Sequence, residues 1–243
     1  MNYHWNWAIF LEQVPSGETS YGIWLLQGLQ WTLSLSLTAW LLALLLGITM
    51  GILRTLPQRG WRWIGGGYIE LFRNIPLLVQ LFLWYFVLPE LLPLSWGNAI
   101  KRWHPLAQQF FAAWLCLGCF TAARIAEQVR AGIQALPSGQ QQAGLALGLT
   151  LAQTYRYVLM PAVLRLILPP LTSEFLNIFK NSAVATTIGL IELSHQAQQL
   201  VDYTAQPYEA FIAVTLLYVL INAIIMVLMR RVESKVAMRL TTA

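Results

Sequence analysis

An uncharged apolar run near the N-terminus limits the possible folds of this chain more than any other feature. The run, TLSLSLTAWLLALLLGITMGIL, covers about residues 32–53 and contains no Asp, Glu, Lys or Arg. A helix of this length crosses the hydrocarbon core of a bilayer, where every backbone polar group must be satisfied internally. Because the run is continuous rather than alternating, a helix is favoured over a barrel strand. We therefore predict a transmembrane helix.

Four further segments have the same character, although the third of these is more polar. They cover about residues 66–88, 109–130, 166–190 and 210–229. Charged residues make up 10% of the chain, whereas a soluble domain carries about 25%. We predict an all-α integral membrane protein with five transmembrane helices in one membrane domain, residues 32–230. An external interfacial segment, 1–31, precedes this domain, and a cytoplasmic tail, 231–243, follows it.

The positions of Lys and Arg predict the orientation. These residues cluster after the first predicted span, after the third span and in the tail, and only Lys101 and Arg102 lie on the opposite side. Residues 1–31 and 191–209 contain neither type. The positive-inside rule then places the N-terminus outside and the C-terminus in the cytoplasm. The net charge of +5 is explained as orienting charge and does not indicate a nucleic-acid partner.

The predicted cytoplasmic loop, about residues 137–161, contains the stretch QQQAGLALGLTLAQTYRYVLMP. It is too polar for the middle of a bilayer. Ser138 and Gln141 have the spacing of a capping box, which predicts a short helix beginning there. Gly148 is suited to a left-handed residue that ends this helix.

A second short helix is predicted directly after Gly148. Thr150 and Gln153 repeat the capping pattern, and Pro161 is expected to end the helix. Two interpretations explain these features equally well. The loop is either a well-capped connector or a docking element that inserts into a groove on a partner. The residues alone leave both interpretations open.

The same loop resembles the cytoplasmic signature of ABC importer permeases, which reads Glu-Ala-Ala, a spaced Gly and a final Ile-x-Leu-Pro. Gln142 replaces the Glu and Gly144 replaces the second Ala. In that family the loop is the coupling helix, which fits a cleft of the ATP-hydrolysing subunit. The matching positions are Gln142, Ala143, Gly144, Gly148, Val158, Met160 and Pro161.

Other stretches, among them ELFRNIPLLVQL (70–81) and ILPPLTSEFLNIFKNSAVATTIG (167–189), resemble the polar amino-acid branch of this family. The resemblance implies the type I ABC importer permease architecture in the bacterial cytoplasmic (inner) membrane. It implies a polar and acidic substrate, glutamate or aspartate. Glutamine, histidine or a basic amino acid is the alternative substrate, and a stand-alone secondary transporter is the alternative mechanism.

The resemblance also implies partners: a separate ABC ATPase, a second permease subunit (a paralogue or a second copy) and an external substrate-binding protein. No Lys follows a Gly in this chain, so the phosphate-binding motif G-K-[S/T] is absent. The chain is therefore predicted to be a lipid-embedded transport subunit and not an enzyme. It is predicted to hold no cofactor or metal, with ATP and Mg²⁺ bound by the ATPase.

Ionisable residues at membrane depth need a partner or a role. Glu70 and Arg73 lie three residues apart and are predicted to pair near Pro76, which favours a kink. Arg124 and Glu127 have the same spacing, so an ion pair within one helix is expected. The resemblance offers an alternative for Arg124: acidic-amino-acid members share this arginine, whose guanidinium can hold a substrate carboxylate.

The fourth predicted span carries a polar stripe. Glu174, Asn177 and Asn181 fall on one helical face, with Lys180 beside it. Such a stripe either lines a substrate path or forms hydrogen bonds at a subunit contact. Together with Arg124, these residues are the candidate substrate path.

Overall fold

The structure, a computed structural model, describes residues 3–15, 17 and 19–241, with side chains as far as residue 235. The outermost residues of both predicted end segments lie outside this range. Short 3-10 helices cover Trp7–Leu11 and Ser182–Ile188, and π-helical turns cover Leu83–Val87 and Thr154–Leu159. The α-helices are α1 Tyr21–Thr55, α2 Arg59–Asn74, α3 Leu77–Phe82, α4 Leu88–Leu91, α5 Leu94–Lys101, α6 Pro105–Ala135, α7 Ser138–Ala146, α8 Leu151–Gln153, α9 Met160–Asn181, α10 Leu193–Thr204 and α11 Pro207–Thr241.

The described helices account for the predicted membrane crossings. Four stretches are long and apolar enough to span: α1, α6, Leu151–Ile188 and Pro207–Lys235. The bent pair Arg59–Asn74 and Leu77–Leu91 makes a fifth if it is counted as one broken span. The predicted all-α class with five spans is therefore confirmed, with the second span interrupted.

The interruption lies at Pro76, where a kink was predicted. Ile75 is extended, with φ −94° and ψ 129°, and the two helical parts are bent by 106°. A proline cannot donate to the preceding turn, and its ring excludes the residue before it from the helical region. The predicted kink is thus confirmed, and it is sharp enough to divide the span into separate helices.

The chain forms two compact units, and each has its own apolar core. The first unit comprises Met1–Ala39, Leu77–Leu117 and Ile178–Ile224, and the second comprises Trp40–Pro76, Gly118–Asn177 and Ile225–Ala243. The core of the first is formed by Ile9, Val14, Tyr21, Leu25, Leu193, Ala197, Leu200, Ala210 and Val214. The core of the second is formed by Ala43, Ala122, Ile125, Val129, Val163, Ile167 and Leu171.

In the first unit, the N-terminal segment is attached to the beginning of α11. The backbone N–H of Asn6 donates to the Glu209 carboxylate at 2.7 Å, and the Tyr3 hydroxyl donates to the same carboxylate. Burial and this hydrogen bond raise the pKa of Tyr3 to about 12. The contact links residues from the two ends of the chain sequence.

A second carboxylate of the first unit, Glu192, is completely buried. It accepts hydrogen bonds from the His195 backbone N–H at 2.9 Å, the Tyr218 hydroxyl at 2.9 Å and the Thr186 hydroxyl. The Thr32 hydroxyl of α1 lies at 3.4 Å. Glu192 is the N-cap of α10 and connects that helix with α1, α11 and the 3-10 helix. Sequence reasoning did not single out this residue.

Candidate coupling loop and substrate path

The loop after α6 begins with α7. The N-cap is Pro137 and no side chain caps the helix, so the predicted Ser138–Gln141 capping box is wrong. Proline has a fixed φ suited to a helix start, and Ser138 is already inside the helix, where its hydroxyl cannot reach the required amide. The predicted end at Gly148 is confirmed by a φ of +83°.

Two backbone hydrogen bonds close the C-terminal end of α7. The N–H of Leu149 donates to the carbonyl of Gly144 at 3.1 Å, and the N–H of Gly148 donates to that of Leu145 at 3.0 Å. This pair of bonds defines a Schellman motif, which requires a left-handed residue at Gly148. The turn after α7 therefore has a defined geometry.

The second predicted capping box is present. The N–H of Gln153 donates to the Thr150 hydroxyl oxygen at 3.3 Å, and the N–H of Thr150 donates to the Gln153 side-chain oxygen at 2.8 Å. The predicted end before Pro161 is wrong, because the helix continues as one stretch through Leu151–Ile188. A π-helical turn, Thr154–Leu159, ends two residues before the proline. Its altered bonding pattern accommodates the missing proline N–H and the ring.

The loop is packed against its surroundings on one side and open on the other. A Cβ at Gly144 would lie 2.8 Å from Thr154 Cγ2, and the Tyr155 hydroxyl donates to the Thr55 carbonyl at 3.2 Å. Gln142 and Ala143 are exposed, and Leu147 is 82% exposed. Of the predicted coupling residues, Gly144 and Gly148 thus shape the loop and Gln142 and Ala143 present its surface.

The predicted pair between Arg124 and Glu127 is wrong. Arg124 of α6 forms a bidentate ion pair with Glu174 of α9, with Nε–Oε2 and Nη2–Oε1 distances of 2.7 and 3.0 Å. The Gln128 amide donates to the same carboxylate at 3.3 Å. The packing of α6 against α9 favours this pair, because two parallel charge-assisted bonds are stronger than a single contact along one helix. The Glu174 side chain is 7% exposed and that of Arg124 is 44% exposed.

Glu127 instead pairs with Arg130, with an Nε–Oε2 distance of 2.9 Å. Arg73 lies 3.8 Å from the same carboxylate. The predicted Glu70–Arg73 pair is therefore wrong, since Arg73, in the last turn before the break at Pro76, reaches α6 and not its own helix. Glu127, Arg130 and Arg73 thus form one group of charges, and the Arg124–Glu174 ion pair is separate from it.

The remaining candidates for the substrate path occupy different parts of the fold. Asn177 is half-buried in the second unit. In the first unit, Lys180 is exposed, and Asn181 lines a small cavity together with Leu77 and Ala113. Gln128 was missed by sequence reasoning, although its position four residues after Arg124 places both on one face of a helix. Within the described residues no group of His, Cys, Asp or Glu is placed to hold a metal ion.

Comparison with known proteins decides the family. Residues 43–238 match the family described as binding-protein-dependent transport system inner membrane component. The chain belongs to this family. It is 55% identical over 237 residues to the glutamate/aspartate import permease protein GltJ of Escherichia coli strain K12, with 97% of this chain and 96% of that protein covered. It is 32% identical to the probable glutamine ABC transporter permease protein GlnM of Bacillus subtilis strain 168, with 81% and 86% covered.

Two solved structures of ABC transporters have the same fold as this chain. An amino acid ABC transporter crystallised with histidines matches with a TM-score of 0.74 and 30% identity, covering 88% of this chain and 95% of that chain. The MetNI methionine ABC transporter, in inward-facing form, matches with a TM-score of 0.71 and 22% identity, covering 87% and 95%. The predicted type I importer permease architecture is thereby confirmed, and the relatives are transport permeases.

Proposed function

We propose that this chain is the permease subunit of an ATP-driven importer that moves glutamate and aspartate across the bacterial inner membrane. The observation that carries the proposal is the 55% identity, over 97% of the chain, to a protein named as a glutamate/aspartate import permease. An external binding protein delivers the amino acid, and a second permease copy or paralogue completes the pathway. A separate ATPase binds ATP and Mg²⁺, so this chain needs no cofactor.

The coupling loop is the proposed contact with the ATPase. Its Schellman turn and the Thr150 capping box fix its shape, and the Gly144–Thr154 and Tyr155–Thr55 contacts hold it to the second unit. A loop that is stiff and attached transmits a displacement, whereas a flexible loop would absorb it. Leu147, 82% exposed, supplies an apolar side chain for a cleft on the partner.

Arg124 is the proposed contact for the side-chain carboxylate of the substrate. Its guanidinium is held by Glu174, which is itself a carboxylate in bidentate geometry. A substrate carboxylate has the same shape and charge, and it can replace Glu174 on the exposed side of the guanidinium. Exchange between the internal and the external carboxylate would favour acidic over neutral amino acids.

The substrate assignment is tested by uptake in proteoliposomes that contain the complete importer with its binding protein. Arg124→Gln is expected to lower the rate of glutamate uptake per assembled complex about tenfold or more, the value of one charge-assisted contact. Arg165→Gln removes an exposed arginine and serves as the control. Loss of assembly in parallel with uptake would make Arg124 a structural residue. Uptake by the chain alone under an ion gradient would contradict the importer mechanism.

The coupling assignment is tested by co-purification with the ATPase. Leu147→Asp places a charge in the proposed cleft and is expected to abolish the complex, because an unpaired buried charge is strongly unfavourable. Leu94→Asp is a matched control, since Leu94 is 80% exposed and lies in the first unit. Equal ATPase yields from the two variants would refute a docking role for the loop.

A further inference from the structure

We propose that the second unit binds the headgroup of an anionic phospholipid in a basic cavity at the base of the coupling loop. The cavity has a volume of about 480 Å³, and its wall includes the beginning of α7. The described residues contribute no acidic side chain to its lining. The polar residues on which the proposal depends are Arg54, Arg62, Arg130, Gln134, Ser138 and Gln141.

Arg54 is positioned at this cavity by the close approach of α2. A Cβ at Gly66 would lie 2.2 Å from Arg54 Nη1, so the guanidinium lies directly against this glycine. The same Nη1 donates to the Arg62 carbonyl at 3.3 Å. The guanidinium is thus held against α2 by backbone contacts and keeps other donors for a ligand.

The positive charge of the cavity is only partly neutralised. Arg130 pairs with Glu127, but no described carboxylate forms an ion pair with Arg54 or Arg62. Glu70 lines a neighbouring cavity together with Arg54 and Arg62, and it reduces the excess of positive charge without forming an ion pair with either. Two arginines without ion-pair partners and several neutral hydrogen-bonding groups match a phosphate, which accepts charge-assisted bonds from a guanidinium.

The surroundings favour a lipid phosphate over a free anion. Helix α2 is amphipathic and exposes Trp61 and Trp63 beside its arginines, as interfacial helices do. An apolar cleft of about 640 Å³ lies next to the basic cavity and shares Tyr155 with it. An anionic phospholipid fits both features, with its phosphate among the arginines and an acyl chain in the cleft. The walls of this cleft include Ile48, Ile52, Leu56, Trp61 and Met160.

The test measures retained lipid on the full chain purified with its native partners. The complex is reconstituted into phosphatidylcholine nanodiscs containing a minor fraction of phosphatidylglycerol, and native mass spectrometry counts each lipid bound after gentle extraction. We expect preferential retention of phosphatidylglycerol. Each arginine near an anionic headgroup contributes about fivefold in affinity, so Arg54→Gln and Arg62→Gln should each lower retention by that factor. Arg54→Lys keeps the positive charge and should retain more lipid than Arg54→Gln.

Arg59→Gln is the matched control, because Arg59 is an exposed arginine of α2 that lines neither cavity. Tryptophan fluorescence confirms that each variant is folded. Equal retention by wild type and the Arg54→Gln/Arg62→Gln double variant would overturn the proposal. Binding of inorganic phosphate without retained lipid would also overturn it, as would loss of lipid whenever the ATPase is bound.

Discussion

Replacing Glu192 by alanine is expected to destabilise the first unit strongly, because the carboxylate is completely buried and serves several donors. The change removes the N-cap of α10 and leaves the His195 N–H and the Thr186 hydroxyl without their acceptor. Tyr218 loses less, since its hydroxyl also lies 3.2 Å from the Ser194 hydroxyl. The bond from the His195 N–H is the cap, and its loss costs about 1 kcal/mol, while the unsatisfied buried Thr186 hydroxyl costs about 1–3 kcal/mol. We therefore expect a total loss of about 2–4 kcal/mol.

Glu192→Gln separates the cap from the charge. Glutamine can keep the oxygen that accepts from the His195 N–H and the Thr186 hydroxyl, but its amide nitrogen cannot accept from the Tyr218 hydroxyl. The expected loss is about 1–2 kcal/mol, intermediate between wild type and Glu192→Ala. This ordering assigns the effect to hydrogen-bond acceptors and not to the volume of the side chain.

The free energy of unfolding is measured in mixed micelles by the fluorescence of the chain's 11 tryptophans. Glu90→Ala is the control: Glu90 pairs with Lys101, but its side chain is 66% exposed. An exposed ion pair contributes about 0–1 kcal/mol, so this variant should remain close to wild type. If Glu192→Ala and Glu90→Ala were equally stable, the buried carboxylate would not be holding the helices together.

Three further results are expected. Tyr155→Phe removes the hydroxyl that donates to Thr55, and it should lower the free energy of unfolding by about 1 kcal/mol in the same assay. No change would show that this hydrogen bond does not stabilise the protein. Gly148→Ala introduces a Cβ at φ +83°, and no neighbouring atom lies within 4 Å of it. The expected loss of about 1–2 kcal/mol in the free energy of unfolding would therefore come from the left-handed backbone alone. An unchanged free energy of unfolding would refute the left-handed turn. The pKa of Tyr3 is raised to about 12, so its contact with Glu209 should persist above pH 10.0 and be lost as the pH approaches 12. A difference ultraviolet titration of wild type against Tyr3→Phe measures the ionisation of this tyrosine. Ionisation near pH 10.0 would contradict the prediction.

Local sequence patterns predicted those features of the fold that depend on neighbouring residues. The Thr150–Gln153 box and the left-handed Gly148 were predicted because a cap and a turn involve only a few consecutive residues. Pro76 was predicted to kink the second span for the same reason. Pro161 shows the limit of this reasoning, because a π-helical turn before the proline allows one continuous helix.

The partners of charged residues were not predictable from spacing. Arg124 and Arg73 both lie three residues from a glutamate in their own helix, yet they contact Glu174 and Glu127 on other helices. Spacing along one helix gives the possible intrahelical contacts, but it gives no information on which carboxylates a neighbouring helix brings closer. Candidate path residues could therefore be named individually, while their grouping required the packed helices.

The sequence by itself determined that this chain is a multi-helix membrane protein, because uncharged runs long enough to cross a bilayer have one stable backbone conformation in lipid. Only the tertiary structure decided which polar groups meet: the Glu192 hydrogen bonds, the Arg124–Glu174 pair and the cavity beside Arg54. The physical reason is that hydrogen bonds and ion pairs act over a few ångströms, so they form between residues that the packing of separate helices brings together.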